Sequence, residues 1–363
     1  MKKSLSLMII AALATTFAVV DAKPRKAAKS QVSKEDMELL KTAQTIFKPL
    51  PSMAEMQKLR AFTPAQVELG QTLWYDPKLS RDNNLSCNSC HNLATYGVDN
   101  RSKSQGVESQ LGGRNAPTAL NAALNKTQFW DSRAADVEEQ AGGPMLNPVE
   151  MANANEEAVV KKIAHIPEYQ KLFEKAFPES HGAINFKNIT TAIAAFERTL
   201  LTPSKWDSYL QGNVNALNAQ EKRGLKGFID NGCISCHMGY NLGAEIEQKF
   251  GLVREPYWEL TGSTQHDEGK FEGTKDEKDK YFFRTPNMRN VAMTYPYFHD
   301  GSVWDLGQAV KIMGQAQLGK DFTDAEISDM VAFLNTLTGE VSKEARTMPI
   351  LPPSNAEASR PVK

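Results

Sequence analysis

Cysteine occurs four times in this 363-residue chain, and every copy lies in one of two pentapeptides. These are Cys87-Asn88-Ser89-Cys90-His91 and Cys233-Ile234-Ser235-Cys236-His237. Each reads C-x-x-C-H, the attachment signature of a c-type haem, in which two cysteines add to the vinyl groups as thioethers. The adjacent histidine then ligates the iron. Two such motifs predict two covalent haems and a function in redox chemistry. Two C-x-x-C pairs could instead hold one structural zinc, or act as dithiols or plain disulfides. Neither alternative explains a histidine after both pairs.

Export fits this chemistry. Lys2 and Lys3, an apolar run over residues 5–20 and the small-residue site Val20-Asp21-Ala22 read as a cleaved signal peptide over residues 1–22. The run is short for a membrane span, which needs about 20 residues, and no other segment is long and apolar enough. Processing would leave about 340 residues, a length that suits two domains. Formal charge is −1 with no Lys/Arg block, which makes nucleic acid an unsuitable partner. Residues 23–34 read as a polar lead-in, and residues 342–363 as a tail whose end should be poorly ordered.

The chain repeats one plan: helix, haem motif, long loops, helix. Thr63-Pro64-Ala65-Gln66 is a capping box with proline at the first helical position, and it predicts a helix through Trp74. Asn218-Ala219-Gln220-Glu221 predicts a second, running into Asn231-Gly232 just before the second motif. Thr323-Asp324-Ala325-Glu326 opens a third, with Ile327, Met330, Val331, Leu334 and Leu337 as its apolar stripe. Ile189, Ile193, Phe196 and Leu200 form the stripe that closes the first unit. The expected fold is mainly α: two cytochrome c-like domains, each with one covalent haem. The expected divisions are 23–202, 203–341 and the tail 342–363, broken at Thr202-Pro203-Ser204. Strand signals are sparse. The stretches 92–117 and 254–284 are polar and Gly-rich without helical period, and loops of that length in a compact domain are usually functional or disordered.

Two long stretches carry a resemblance. "RNAPTALNAALNKTQFWDSRAADVEEQAGGPMLNPVEM" (residues 114–151) and "FRTPNMRNVAMTYPYFHDGSVWDLGQAVKIMGQAQLG" (residues 283–319) resemble the bacterial dihaem cytochrome c peroxidases. With both haem motifs in register, the likeness covers nearly all of the mature chain. The resemblance implies a peroxidatic N-terminal haem held by Cys87, Cys90 and His91. It implies an electron-relaying C-terminal haem held by Cys233, Cys236 and His237, with Met313 as its second axial ligand. Glu150 matches the distal acid/base, Gln140 the distal glutamine beside it, and Trp130 the tryptophan between the haems. Read alone, Glu150 is a solvated loop residue and Met313 a core filler; their register within the matched stretches assigns the roles. The resemblance further implies one calcium ion between the domains, held by the side-chain oxygen of Asn115 and the carbonyls of Thr294 and Pro296. Its implied partners are hydrogen peroxide and a small c-type cytochrome or cupredoxin as electron donor, and it implies a periplasmic homodimer.

One departure stands out. Many members of that family carry a histidine in the loop after the first motif, which caps the resting peroxidatic iron. Residues 92–113 here contain none, and of six histidines His165, His181 and His266 are left without a role, with His299 placed near the second haem. Tyr96, Lys103 and Met145 are conceivable substitutes. Two rival readings remain. A MauG-like oxidase shares the architecture but replaces the methionine ligand by tyrosine, so Met313 argues against it. A pure electron carrier would have no use for Glu150.

Overall fold

The computed structural model describes residues 32–353. The signal peptide and most of the expected lead-in, and residues 354–363 of the tail, lie outside the described residues.

Two helix pairs organise the chain, and each forms where capping and periodicity coincide. The Pro64–Tyr75 helix starts on a reciprocal box between Thr63 and Gln66, and Ala219–Asp230 starts on one between Asn218 and Glu221. Each satisfies orphan N–H groups that would otherwise weaken the first turn. The Pro64–Tyr75 helix crosses Phe186–Glu197, burying Leu69, Leu73, Ile189, Ile193 and Phe196 in a first core. Ala219–Asp230 crosses Asp324–Asn335 in the same manner, burying Leu225, Phe228, Phe333 and Leu334 in a second.

A glycine sets each crossing. A Cβ at Gly70 would stand 1.9 Å from the Ala192 carbonyl oxygen, and one at Gly224 would stand 1.9 Å from that of Asp329. Backbone cannot yield at that range. In an exposed helix interior, Gly→Ala stabilises by about 1 kcal/mol; here Gly70→Ala is expected to destabilise by about 1–3 kcal/mol through overpacking. Denaturant unfolding of the holoprotein checks this, and a gain in stability would contradict the crossing.

The two ends of the described chain are exchanged between the cores. The Lys34–Ile46 helix and the residue after it put Leu40, Ala43 and Phe47 into the second core, where Phe47 meets Trp206 edge-on at 5.3 Å. Val341 and Ala345, from the far end, pack in the first core. There Tyr75 donates from its hydroxyl to the Ala345 carbonyl at 2.7 Å, and Lys78 Nζ donates to the Pro352 carbonyl at 2.9 Å. A buried ion pair ties the N-terminal arm down further. Arg289 donates through both Nη atoms to Asp207 at 2.9 Å, and Leu50 N–H donates to the same carboxylate at 2.7 Å. These donors hold the Asp207 carboxyl below its ordinary range despite burial.

The expected scarcity of strands is observed: among the described residues one two-stranded antiparallel sheet forms, Glu247–Lys249 against Phe282–Arg284. No helix among them is long and apolar enough to cross a membrane.

Candidate haem centres

Each C-x-x-C-H motif folds as one tight turn at the mouth of a cavity. Cys87–Cys90 is a single helical turn on which Ser86 N–H donates to Ser89 Oγ at 3.0 Å, and the His91 N–H donates to the Cys87 carbonyl. The second motif makes a 3-10 turn over Cys233–Ser235, with His237 N–H again donating to the Cys233 carbonyl. All four thiols are unpaired. Burial pushes Cys87 up to about 12 and Cys90 and Cys233 up to about 11, the opposite of an activated redox dithiol. No group of three or more His, Cys, Asp or Glu gathers to hold a metal among the described residues, so the two pairs do not build one zinc site. These half-buried cysteines, set on the walls of two largely apolar cavities, suit thioether attachment.

The second cavity, of about 400 Å³, is lined by Cys233, Cys236, His237 and, from the end of the Leu306–Met313 helix, Met313. His237 Nδ1 lies 2.9 Å from the Leu242 carbonyl oxygen. With that bond made by Nδ1–H, Nε2 keeps a lone pair free to take a metal. The helix bearing Met313 runs into a π-helical turn, Gly314–Leu318, a local distortion frequent at functional sites. Arg284 also lines this cavity, with Nη1 buried and unpartnered; such an orphan cation suits a carboxylate of the bound group. His299 lies on the same wall, 2 % exposed, stacked on Phe283 at 4.1 Å and 3.2 Å from the Tyr257 hydroxyl. Burial drives its pKa down to about 4.

The first cavity, of about 510 Å³, gathers Cys87, Cys90, His91, Gln140, Glu150 and Trp130 on its walls. Gln140 projects from the Val137–Leu146 helix. Glu150 sits just beyond it, where its carbonyl accepts from Val107 N–H at 2.9 Å. Its carboxylate accepts from Asn147 Nδ2 at 2.7 Å. Burial raises the Glu150 pKa, opposed by the Arg133 charge and the Asn147 hydrogen bond. His91 Nδ1 is buried without a partner at bonding distance; burial lowers its pKa, and the Asp99 charge opposes this.

Residues 115–118 and Trp130 line both cavities and so form the wall between them. Trp130 is locked there by donating Nε1–H to the Asn115 carbonyl at 2.9 Å. A model of the family described as di-haem cytochrome c peroxidase matches residues 64–215, and one described as cytochrome c matches residues 221–338. The chain is 46% identical to "Cytochrome c551 peroxidase" of Pseudomonas aeruginosa over 88% of its own length and 91% of that protein's.

The chain belongs to the dihaem cytochrome c peroxidase family.

A second family member, "Cytochrome c551 peroxidase" of Nitrosomonas europaea, is 45% identical over 84% of this chain and 90% of its own. Among solved structures, a MauG-like protein associated with microbial copper homeostasis superposes with a TM-score of 0.70 at 28% identity. That superposition covers 83% of this chain and 96% of that one. The family is one of two-haem proteins, and the two cavities fit two c-type haems.

The loop over residues 92–113 carries no histidine. Among the described residues, His91 is the single histidine lining the first cavity. Lys103 bonds Gln265, Met145 is core, and His266 is exposed and stacked on Trp258. Asn115, Thr294 and Pro296 all line the second cavity. Asn115 Nδ2 donates to the Arg101 carbonyl, which leaves Oδ1 available.

Among the wall residues that sequence reasoning missed are Trp74, Glu197 and Arg284. Aligning the two helix pairs on Gly70 and Gly224 would have exposed the first two, because their counterparts are apolar.

Proposed function

We propose that the protein reduces hydrogen peroxide to water at the first centre, using electrons received singly at the second from a small c-type cytochrome or cupredoxin. The observation that carries this reading is the sorting of side chains: Glu150 and Gln140 line one cavity, Met313 lines the other, and Trp130 lines both. Bound haem supplies a coordination site for peroxide and one-electron redox chemistry at each centre. Every proton is then the protein's task. Glu150 accepts the proton peroxide must lose and returns it to the outer oxygen as the O–O bond breaks, so that oxygen leaves as water. Its raised pKa suits both steps, since a group nearer neutrality gives and takes protons with less penalty. The Gln140 amide orients peroxide beside it. The Trp130 indole offers an aromatic bridge between the centres. His91 and His237 would hold the two irons, and a Met313 thioether taken as the second ligand of the His237 centre would favour the reduced form and raise the potential.

The same reading assigns a calcium ion to Asn115 Oδ1 and the Thr294 and Pro296 carbonyls, oxygen donors of the kind calcium accepts. It divides the chain at residues 202–203, and places the protein in the periplasm as a homodimer, as its family likeness implies.

The test is the oxidised holoprotein. With no imidazole facing His91 across the first cavity, its spectrum should show one high-spin, open haem and one low-spin His/Met haem. Peroxide should react without prior reduction, and two reduced donors should be oxidised per peroxide. Two low-spin haems, with no peroxide reaction until an electron is added, would overturn the open state. No peroxide consumption with reduced donor would overturn the function.

A further inference from the structure

The two helix pairs superpose in register, and the register isolates one residue. Gly70 faces the Ala192 carbonyl and Phe196 Cβ, and Gly224 faces the Asp329 carbonyl and Phe333 Cβ. Ile193 and Met330 then correspond, as do Glu197 and Leu334, and all four line their cavities. One position is therefore leucine in the second domain and glutamate in the first. Packing at this position is met by a hydrophobe, as Leu334 shows at 1% exposure. Glu197 is 4% exposed, and its Oε2 has no hydrogen-bond partner. The nearest cation does not serve it: Arg198 donates through Nη2 to both oxygens of Glu138, at 2.8 and 2.7 Å. Trp74 repeats the pattern, its buried Nε1 unpartnered where the second domain has Phe228. An unpaired carboxyl is costly to bury, so neither fold nor packing accounts for Glu197.

We propose that Glu197 is a proton-exchanging carboxyl of the first cavity, taking up one proton when an electron enters the haem centre there and releasing it when the electron leaves. This rests on the reading of that cavity as a haem centre. The electron comes from the donor; the proton comes from solvent, forming an O–H bond on the Glu197 carboxylate. An added electron removes positive charge from the cavity, which strengthens proton binding at a nearby carboxylate. By linkage, the bound proton favours reduction equally. Burial supports the assignment by raising the Glu197 carboxyl to about 8, with Arg198 opposing and Glu138 reinforcing. Those two, together with the Cys87 sulfur that becomes a thioether, are the charged or titratable groups that act on it from the packed helices and the motif. Glu138, which acts on Glu197 through space, is bridged by Arg198 and the half-exposed Arg60.

The experiment is a potentiometric titration of the dihaem holoprotein at several pH values, following each haem by its own spectrum. In the wild-type protein the first haem should become harder to reduce as pH rises, approaching a tenfold change in the reduction equilibrium per pH unit (about 59 mV). Glu197→Leu, which installs the second domain's residue, and Glu197→Gln should both flatten that dependence. Glu150→Gln should retain it. A pH slope that persists in the Glu197 variants, or that vanishes in Glu150→Gln, overturns the assignment. Should Glu197→Leu fail to load haem, Glu197→Gln decides. The peroxide reading fails separately, through absent peroxide consumption by a wild-type protein carrying both haems.

Discussion

Glu150→Gln is expected to bind both haems and to turn over peroxide at least about 10²-fold more slowly, the scale of a lost general acid–base. The substitution is nearly isosteric. Asn147 Nδ2 can still donate to the side-chain oxygen that replaces Oε1, so the wall of the cavity should stand and both spectra should be little changed. What disappears is the ability to hold a proton between the two halves of the reaction. The pH profile gives an independent check with a definite sign. Burial raises the Glu150 pKa, so as pH falls through that raised value the carboxylate is protonated and can no longer accept peroxide's proton. The wild-type rate of peroxide reaction should fall on that acid limb, and in Glu150→Gln the limb should be absent. Wild-type turnover in the variant would move proton handling to another residue.

Replacing the cysteines should separate the centres. Cys87→Ala with Cys90→Ala is expected to yield a chain with one covalent haem and no peroxide reaction. Cys233→Ala with Cys236→Ala should keep the peroxide-reactive haem and lose the methionine-ligated one, together with turnover on the donor. Mass measurement after periplasmic expression with haem-maturation machinery gives the count directly, and two haems on either variant would refute the attachment. Stability should suffer as well. The first cavity measures about 510 Å³. Without its group, the apolar part of that cavity's walls has nothing to pack against, which destabilises the surrounding core. A domain's whole margin is about 5–15 kcal/mol. The first domain of the Cys87/Cys90 variant should therefore be loosely folded, visible as protease cleavage confined to that part of the chain.

Local chemistry made much of this molecule readable in advance. The capping boxes at Thr63, Asn218 and Thr323 start helices because the side chains that satisfy the first N–H groups lie within three residues. The stripe Ile189, Ile193, Phe196, Leu200 is buried as its spacing requires. Phe333, which the stripe Ile327–Met330–Val331–Leu334–Leu337 omits, is fully buried against Trp206 and Phe228. Periodicity marks the centre of a buried face and says little about its edges. That Glu150, Gln140 and Met313 line the cavities was legible only through resemblance, since a carboxylate in a loop and a methionine on a helix have commoner uses.

By itself the sequence determined two C-x-x-C-H motifs, a helix before and after each, and a loop that lacks a histidine. These are properties of residues close together in the chain, where a motif or a cap acts through its own neighbours. Tertiary structure decided what lies between and around those points. It brought residues 115–118 and Trp130 into a wall shared by both cavities. It folded the Lys34–Ile46 helix onto the second core and residues 341–352 onto the first. It placed the Glu197 carboxyl where the matching helix has Leu334. Each of these joins residues far apart in sequence, and an apolar or charged side chain carries no record of which distant surface will cover it; only packing two helix pairs on their glycine contacts selects the partner.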